Sequence, residues 1–252
     1  MGSGDYDVIV VGAGPGGYVA AIRAAQLGLR TGVVERAHLG GICLNWGCIP
    51  TKALLRAAEV HHTIAEAAEF GISVSGPPGI DLAALVKRSR KVSAELNAGV
   101  AFLLKKNDVD VIWGAARLAG EGAIEVTAPE KRAGGYDLPP PKGALGPGRY
   151  KARHIVIATG ARPRALPGME PDGKLIWTYF EAMVPPTLPK SLLIAASGPI
   201  GRAFASLYRP PCAEVTLVAL LPHLLPAAAP ASPRSARRAS PDPGPSPRPN
   251  PQ

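Results

Sequence analysis

The feature that most restricts the fold is a strand, a glycine turn, a helix and a second strand packed into the first thirty-five residues. Residues Tyr6 to Val11 read YDVIVV, a short β-rich apolar run that ends in glycines. Pro15 to Leu27 then carries Ala, Ile and Leu at helical spacing, Gly28 closes it, and Thr31 to Val34 reads as the next strand. The spacing predicts a βαβ unit, and parallel pairing of its two strands. The chain is therefore expected to be α/β.

The turn Gly12-Ala13-Gly14-Pro15-Gly16-Gly17 matches G-x-G-x-x-G between a strand and a helix. Gly12 permits the tight turn, Gly14 lets the backbone approach a pyrophosphate, and Gly17 lets helix and strand pack closely. Pro15 fits the first helical turn, where its missing N–H is not needed. The helix N-terminus then offers free N–H groups and partial positive charge to phosphates. Glu35 ends the second strand, where an acid can accept hydrogen bonds from ribose hydroxyls. The alternative is a glycine turn with no ligand; the strand, helix and acid around it favour dinucleotide binding. The fingerprint alone does not decide between FAD and NAD.

Further on, helical patterning begins near Cys48 and runs through Leu54 and Ala58 towards Ala68. A third helix is expected over Asp81 to Asn107, where Leu82, Leu85, Val86, Val92, Leu96, Val100, Leu103 and Leu104 make an apolar stripe. Val109 to Trp113, Arg117 to Leu118, Ala123 to Val126 and His154 to Ala158 read as strands, the last stopped by Thr159-Gly160-Ala161. Pro129 to Gly148 is crowded with Pro and Gly and reads as a surface insertion. From Ser191 a weaker echo of the first unit appears: strand Leu192 to Ala195, turn Ser197 to Gly201, helix to Tyr208, strand Val215 to Val218. Residues 222–252 hold ten of the 28 prolines and show no period of strand or helix. They are expected to be disordered, since they cannot offset roughly 1–2 kcal/mol of backbone entropy per residue. The expected division is 1–188, 189–221 and the tail 222–252.

With 252 residues and 46% of them apolar, the chain can bury a real core. Its net charge of +9 is partly in the tail, where Arg234, Arg237, Arg238 and Arg248 face one acid, Asp242. Four arginines without interleaved aromatics are too few to argue a nucleic-acid partner. Val215 to Ala229 is broken by Pro222 and Pro226 and is shorter than the roughly 20 residues a membrane span needs. The N-terminus has no basic n-region, and Tyr6 stands where a myristoylation signal wants Ser or Thr. A cytoplasmic protein with no membrane contact is expected.

Gly40-Gly41-Ile42-Cys43-Leu44-Asn45-Trp46-Gly47-Cys48-Ile49-Pro50-Thr51-Lys52 is the most informative stretch. Two Cys five positions apart, one in a loop and one opening a helix, can close a small disulfide ring. Closing six residues stabilises by only about 2 kcal/mol, and a reducing compartment would open it, so a purely structural bridge is a poor explanation. Zinc needs four ligands, and the third Cys, Cys212, is distant, so no metal is expected. A reversible dithiol fits best, with the helix N-terminus beside Cys48 favouring thiolate.

The segment GGICLNWGCIPTKALL resembles the redox-active segment of the flavoprotein disulfide reductases, and within them the dihydrolipoyl dehydrogenase branch. The similarity continues through VIVVGAGPGGYVAAIRAAQLG, the VVE at Glu35 and IVIATGARPRALPG, and covers roughly residues 5–218. It implies a Rossmann-like FAD-binding domain followed by an incomplete NAD-binding βαβ unit. Carried over by position, it implies that Gly12, Gly14, Pro15 and Gly17 frame the FAD pyrophosphate and Glu35 its adenosine ribose. Arg36 and Gly41 would flank the cofactor, Gly114 and Ala116 would offer backbone to the adenine, and Thr159 and Gly160 would pass nearby. Cys48 would be the thiolate against the flavin, Cys43 the interchange thiol, and Lys52 a cation near the flavin's reactive edge. The implied reaction oxidises dihydrolipoamide, borne on a lipoyl carrier domain of a 2-oxoacid dehydrogenase complex, and passes electrons through FAD to NAD.

The chain also departs from that pattern. Ala196 stands where the second fingerprint's first glycine belongs, Ala219 where a ribose-binding acid belongs, and Ala203 where a Glu would pair with Lys52. If position 196 needs left-handed geometry, alanine costs about 1–2 kcal/mol there. NAD binding by this half is therefore doubtful. The resemblance also implies a remaining NAD domain and an interface domain with its His–Glu base and homodimer surface, and this sequence is expected to lack both. His61 and Glu66 are expected to be solvated side chains on different helix faces. The change of composition near Leu220 reads as a truncated or frame-shifted product. A non-catalytic remnant that binds FAD weakly or not at all is the alternative reading.

Overall fold

A computed structural model describes residues 5–129, 139–196, 198–209 and 214–218. The expectation of a disordered tail, and those on Ser197, Cys212 and Ala219, lie outside the described residues. The chain divides into two compact units, Met1–Pro50 with Arg88–Met183 and Thr51–Lys87 with Val184–Gln252.

The first unit is built on the expected βαβ. Strand β1 (Tyr6–Val11), helix α1 (Pro15–Gln26) and strand β2 (Thr31–Glu35) follow in order, and β1 pairs in parallel with β2. Helix α2 (Gly41–Trp46) follows, and helix α3 (Cys48–Ala65) starts two residues later. Helix α4 (Leu82–Lys106) leads into β3 (Asp110–Trp113), β4 (Ala115–Leu118), β5 (Ala123–Thr127) and β6 (Gly148–Ile157). The six strands run in the order β3-β2-β1-β6-β5-β4. Strands β3, β2, β1 and β6 are parallel neighbours, whereas β4 and β5 are antiparallel.

Strand β6 belongs to both parts of this sheet. Its first four residues pair with β5, while Ala152 and the residues from His154 to Ile157 pair with β1. The sequence reading found only this second half, because it is the apolar one. Val8 and Val10 pack into a core with Ala21 of α1 and Val100 and Leu104 of α4. Ile9 and Val11 pack instead with Ile124 and Val126 of β5 and with Tyr150. A parallel strand covered on both faces must be continuously apolar, which is why YDVIVV carries no alternation.

The segment read as a surface insertion is partly integrated. Within it, Leu145 accepts a hydrogen bond from the Trp113 N–H at 2.7 Å and donates its own N–H to Val111 at 2.8 Å. Leu145 therefore closes the free edge of β3. A short helix α5 (Tyr179–Met183), missed in the sequence because five residues carry too little periodicity, ends this unit.

Tyr6 illustrates how the core constrains charge. Its ring is 2% exposed, its hydroxyl donates to Asp110 Oδ2 at 2.9 Å, and the Arg30 guanidinium lies 5.0 Å from the ring centre. Burial first, then the hydrogen bond and charge of Asp110, raise the Tyr6 phenol well above its ordinary range. A raised folded value means that the neutral phenol's contribution is complete below about pH 10 and is lost as pH climbs further. Urea midpoints should therefore hold to about pH 10 and then fall. Tyr6→Phe should flatten that alkaline limb while costing about 1–2 kcal/mol at neutral pH.

In the second unit α3 ends at Ala65 and a 3₁₀ turn covers Ala67–Phe70, so the helix stops short of the expected Ala68. His61 is not solvated as expected: it is half-buried, with Nε2 3.1 Å from the Pro78 carbonyl. It is His62 that meets Glu66, at 3.2 Å and the i,i+4 spacing. The later part forms β7 (Ser191–Ala195), α6 (Pro199–Tyr208) and β8 (Glu214–Val218), with β7 and β8 parallel as expected. Among the described residues no helix is long and apolar enough to cross a membrane.

Candidate dinucleotide cavity and disulfide turn

Strand β1 has β2 on one side and β6 on the other, and the crevice outside the carboxyl ends of such strands is where α/β sheets bind ligands. A cavity of about 750 Å³ opens there. Much of its wall comes from the residues that follow each strand: Gly12 and Gly14 to Gly16 after β1, Glu35 to His38 at β2, and Ala158 to Pro163 after β6. This volume lies within the range of cofactor-sized pockets.

Two glycines make the crevice possible. Gly12 has φ +103°, and a Cβ there would lie 2.8 Å from the Ala158 carbonyl carbon. A Cβ on Gly17 would overlap the Gly12 carbonyl oxygen, so α1 can approach β1 this closely only without a side chain. At Gly14, by contrast, a Cβ would meet nothing nearer than Gly41 Cα at 3.8 Å, so the cavity side of the turn is open. Gly14 is the N-cap of α1, and no side chain caps that helix end. An uncapped N-terminus on an open cradle fits a phosphate-bearing ligand.

Glu35 is buried and fastens the rim. Its Oε2 accepts from the Ala13 N–H at 2.9 Å, and its Oε1 accepts from the Arg36 and Ala37 N–H groups at 2.9 and 2.8 Å. One carboxylate thus ties the glycine turn to the segment after β2. It reaches the cavity from a strand end, as the sequence reading expects of a ribose-binding acid.

The cysteines follow directly. Gly40 donates its N–H to the Ala13 carbonyl at 2.8 Å, which sets α2 beside the cradle. Cys43 and Cys48 are joined as a disulfide, with Cα atoms 4.8 Å apart. Cys43 lies within α2, not in a loop as expected, because the GICLNW turn closes its own backbone bonds before Gly47 breaks it. Cys43 is on the cavity wall, whereas Cys48, the cysteine that the resemblance sets against the flavin, is exposed at the first turn of α3 and does not line that wall, which departs from the expected placement.

The structure therefore brings Gly12, Gly14, Pro15, Glu35, Arg36, Gly41, Cys43, Thr159 and Gly160 to one cavity. Gly17 acts behind it, in helix packing. Gly114 and Ala116 do not line it: the Gly114 N–H is bonded to the Glu35 carbonyl at 2.8 Å, and Ala116 faces Val126 across the β4–β5 pair. Lys52 is exposed on α3 and belongs to the second unit. In that unit Ala196 does not take positive φ, so the strain expected for alanine at the second turn is not incurred. Gly201 nonetheless packs on the Ala196 carbonyl as Gly17 packs on that of Gly12. Among the described residues no group of three His, Cys, Asp or Glu could hold a metal ion.

Sequence reading missed the support around the cysteines. The Asn45 side-chain amide donates to the Leu39 and Gly41 carbonyls, both at 2.8 Å. Buried Arg90, on α4, donates from Nη1 to the Asn45 carbonyl at 2.6 Å and stacks 4.6 Å from the Trp46 ring centre. Trp46 in turn meets Phe180 edge-on at 5.1 Å, and Phe180 lines the cavity. The Arg90 guanidinium meets its partner forty-five residues away along the chain, so only the fold reveals it.

A glycine cradle at the reversal point of a parallel sheet, with a cysteine pair leading off it, defines a Rossmann-like dinucleotide-binding domain bearing a disulfide. The family model described as pyridine nucleotide-disulphide oxidoreductase matches residues 6–239, and the chain belongs to that family. It is 60% identical over 217 residues to the dihydrolipoyl dehydrogenase of Rhizobium etli, covering 86% of this chain and 45% of the relative. It is 49% identical over 221 residues to that of Zymomonas mobilis, covering 87% and 44%, and 43% identical over 219 residues to that of Bacillus subtilis, covering 85% and 44%. The chain thus spans a little under half the length of these relatives.

Proposed function

We propose that this chain is the flavin-holding, disulfide-bearing part of a dihydrolipoyl dehydrogenase, acting in the cytoplasm on dihydrolipoamide carried by a lipoyl domain of a 2-oxoacid dehydrogenase complex. The observation that carries this is the position of Cys43: it sits on the wall of the nucleotide cavity and is paired with Cys48. The open cradle at Gly14 and the uncapped α1 N-terminus fit the FAD pyrophosphate, and Glu35 fits its ribose. Arg36, Gly41, Thr159 and Gly160 line the rest, and Lys52 is the cation proposed for the reactive edge. Bound there, FAD supplies a two-electron acceptor for the dithiol.

The chain's own chemistry is thiol–disulfide exchange. A substrate thiolate attacks Cys43 Sγ, the Cys43–Cys48 bond breaks, and Cys48 Sγ leaves with the electron pair as thiolate. Cys48 is the first residue of α3, whose N-terminal field stabilises that thiolate and makes it the better leaving group. The second substrate thiol, once deprotonated, displaces Cys43 from the mixed disulfide. The substrate departs as a cyclic disulfide, oxidised by two electrons, and both cysteine sulfurs are left reduced.

NAD is the proposed final acceptor of the whole enzyme. It is not assigned to the second unit here, where Ala196 and Ala219 replace the recognition residues. A second reading, a non-catalytic remnant, is favoured by Ala203, which leaves Lys52 without the family's acidic partner. Purification and reconstitution with FAD separate the two readings. One flavin bound per chain, with a long-wavelength charge-transfer band on adding dithiol, is expected. Protein that stays colourless after reconstitution sinks the enzyme reading.

A further inference from the structure

The disulfide turn is gripped from α4. We propose that Arg90 is a positioning residue for the Cys43–Cys48 couple, holding the inter-cysteine turn through Asn45 and Trp46 and thereby setting the thiol–disulfide equilibrium. This rests on the reading of the pair as a redox couple.

Four observations carry the proposal. Arg90 is 7% exposed, so its charge acts in a medium that screens it far less than water does. Its Nη1 contact is with the carbonyl of Asn45, a residue inside the six-residue ring, two positions after Cys43 and three before Cys48. Its planar face covers Trp46, the next residue of the same ring. Asn97, just under two helical turns further along α4, adds a bond to the Leu39 carbonyl at 2.7 Å and a contact with Asn45 Oδ1 at 3.3 Å. Both side chains of the turn that face α4 are thus fixed by one helix.

The consequence for the couple follows from charge. Reduction breaks one S–S bond, takes up two electrons, and leaves two sulfurs, of which at least one is thiolate when its proton is lost to solvent. A buried cation against the ring's own backbone favours that anionic product over the neutral disulfide. Lysine cannot replace this arrangement, because it lacks the planar fork that both bonds a carbonyl and stacks on an indole.

The test uses the full chain without flavin, equilibrated with reduced and oxidised dithiothreitol, with the fraction of reduced Cys43–Cys48 read by thiol alkylation and mass. Thiolate absorbance against pH is followed in the same samples. Arg90→Met is expected to lower the equilibrium constant for reduction about tenfold, equivalent to about 30 mV for a two-electron couple. Arg90→Lys, which keeps charge and most of the volume, is expected to fold and to lower it about threefold. In both variants the thiolate titration should move to higher pH. An equilibrium constant and titration equal to those of the parent, in either variant that folds, overturn the proposal. Flavin binding decides the functional reading separately: a chain that binds no FAD but shows these shifts keeps Arg90 in its role and removes the enzyme assignment.

Discussion

Gly17→Val is expected to destabilise the chain by about 3 kcal/mol and to abolish flavin retention. The cause is a collision with nowhere to go. The added Cβ would overlap the Gly12 carbonyl oxygen and lie 2.8 Å from its carbon, and both atoms are backbone of the turn itself. Gly12 cannot retreat, because its N–H is held by the Val34 carbonyl at 2.8 Å and its own Cα faces Ala158. Relief therefore requires α1 to move away from β1, which opens the core around Ala21 and displaces the uncapped helix end from the cavity. Gly16→Ala is the control: a Cβ there meets nothing within 4 Å, and it should leave the urea midpoint unchanged or slightly raised. A Gly17→Val protein with the parent's midpoint would contradict the packing argument.

Cys48→Ser has the second large effect, on chemistry more than on stability. Opening a six-residue ring is expected to cost about 2 kcal/mol, and exchange with external dithiols should become undetectable. Thiol counting gives a direct check. In the parent, neither Cys43 nor Cys48 should be alkylated before reduction, and both should be after it. The variant should show Cys43 alkylated in both states. Cys43 should then attack an added linear disulfide, expel one of its halves as thiolate, and hold the other as a stable mixed disulfide, because Cys48, the sulfur that would resolve it, is gone. Free exchange turnover in Cys48→Ser would remove the pair from the mechanism.

The sequence was informative where chemistry and local geometry coincide. The GAGPGG turn, its flanking strand and helix, and Glu35 are all set by contacts within thirty residues, so their positions in the cavity could be read in advance. The cysteine pair was likewise legible, because five positions of spacing bring two sulfurs within bonding reach. The sequence predicts a loop at Cys43 because a helix of under two turns, such as α2, leaves no periodic signature. Gly114 reads as a ligand-facing turn from the resemblance, yet its missing side chain serves the close approach of β5, where a Cβ would crowd Val126.

By itself the amino-acid order determined the parallel βαβ start, the phosphate-ready helix end and the dithiol, since each depends on residues close along the chain. Only the tertiary structure decided which of those groups share a wall, and that Arg90 reaches the disulfide turn across forty-five residues to the carbonyl of Asn45. Contacts of that separation are selected by how α4 packs on the sheet, and no local pattern records the partner of a buried guanidinium.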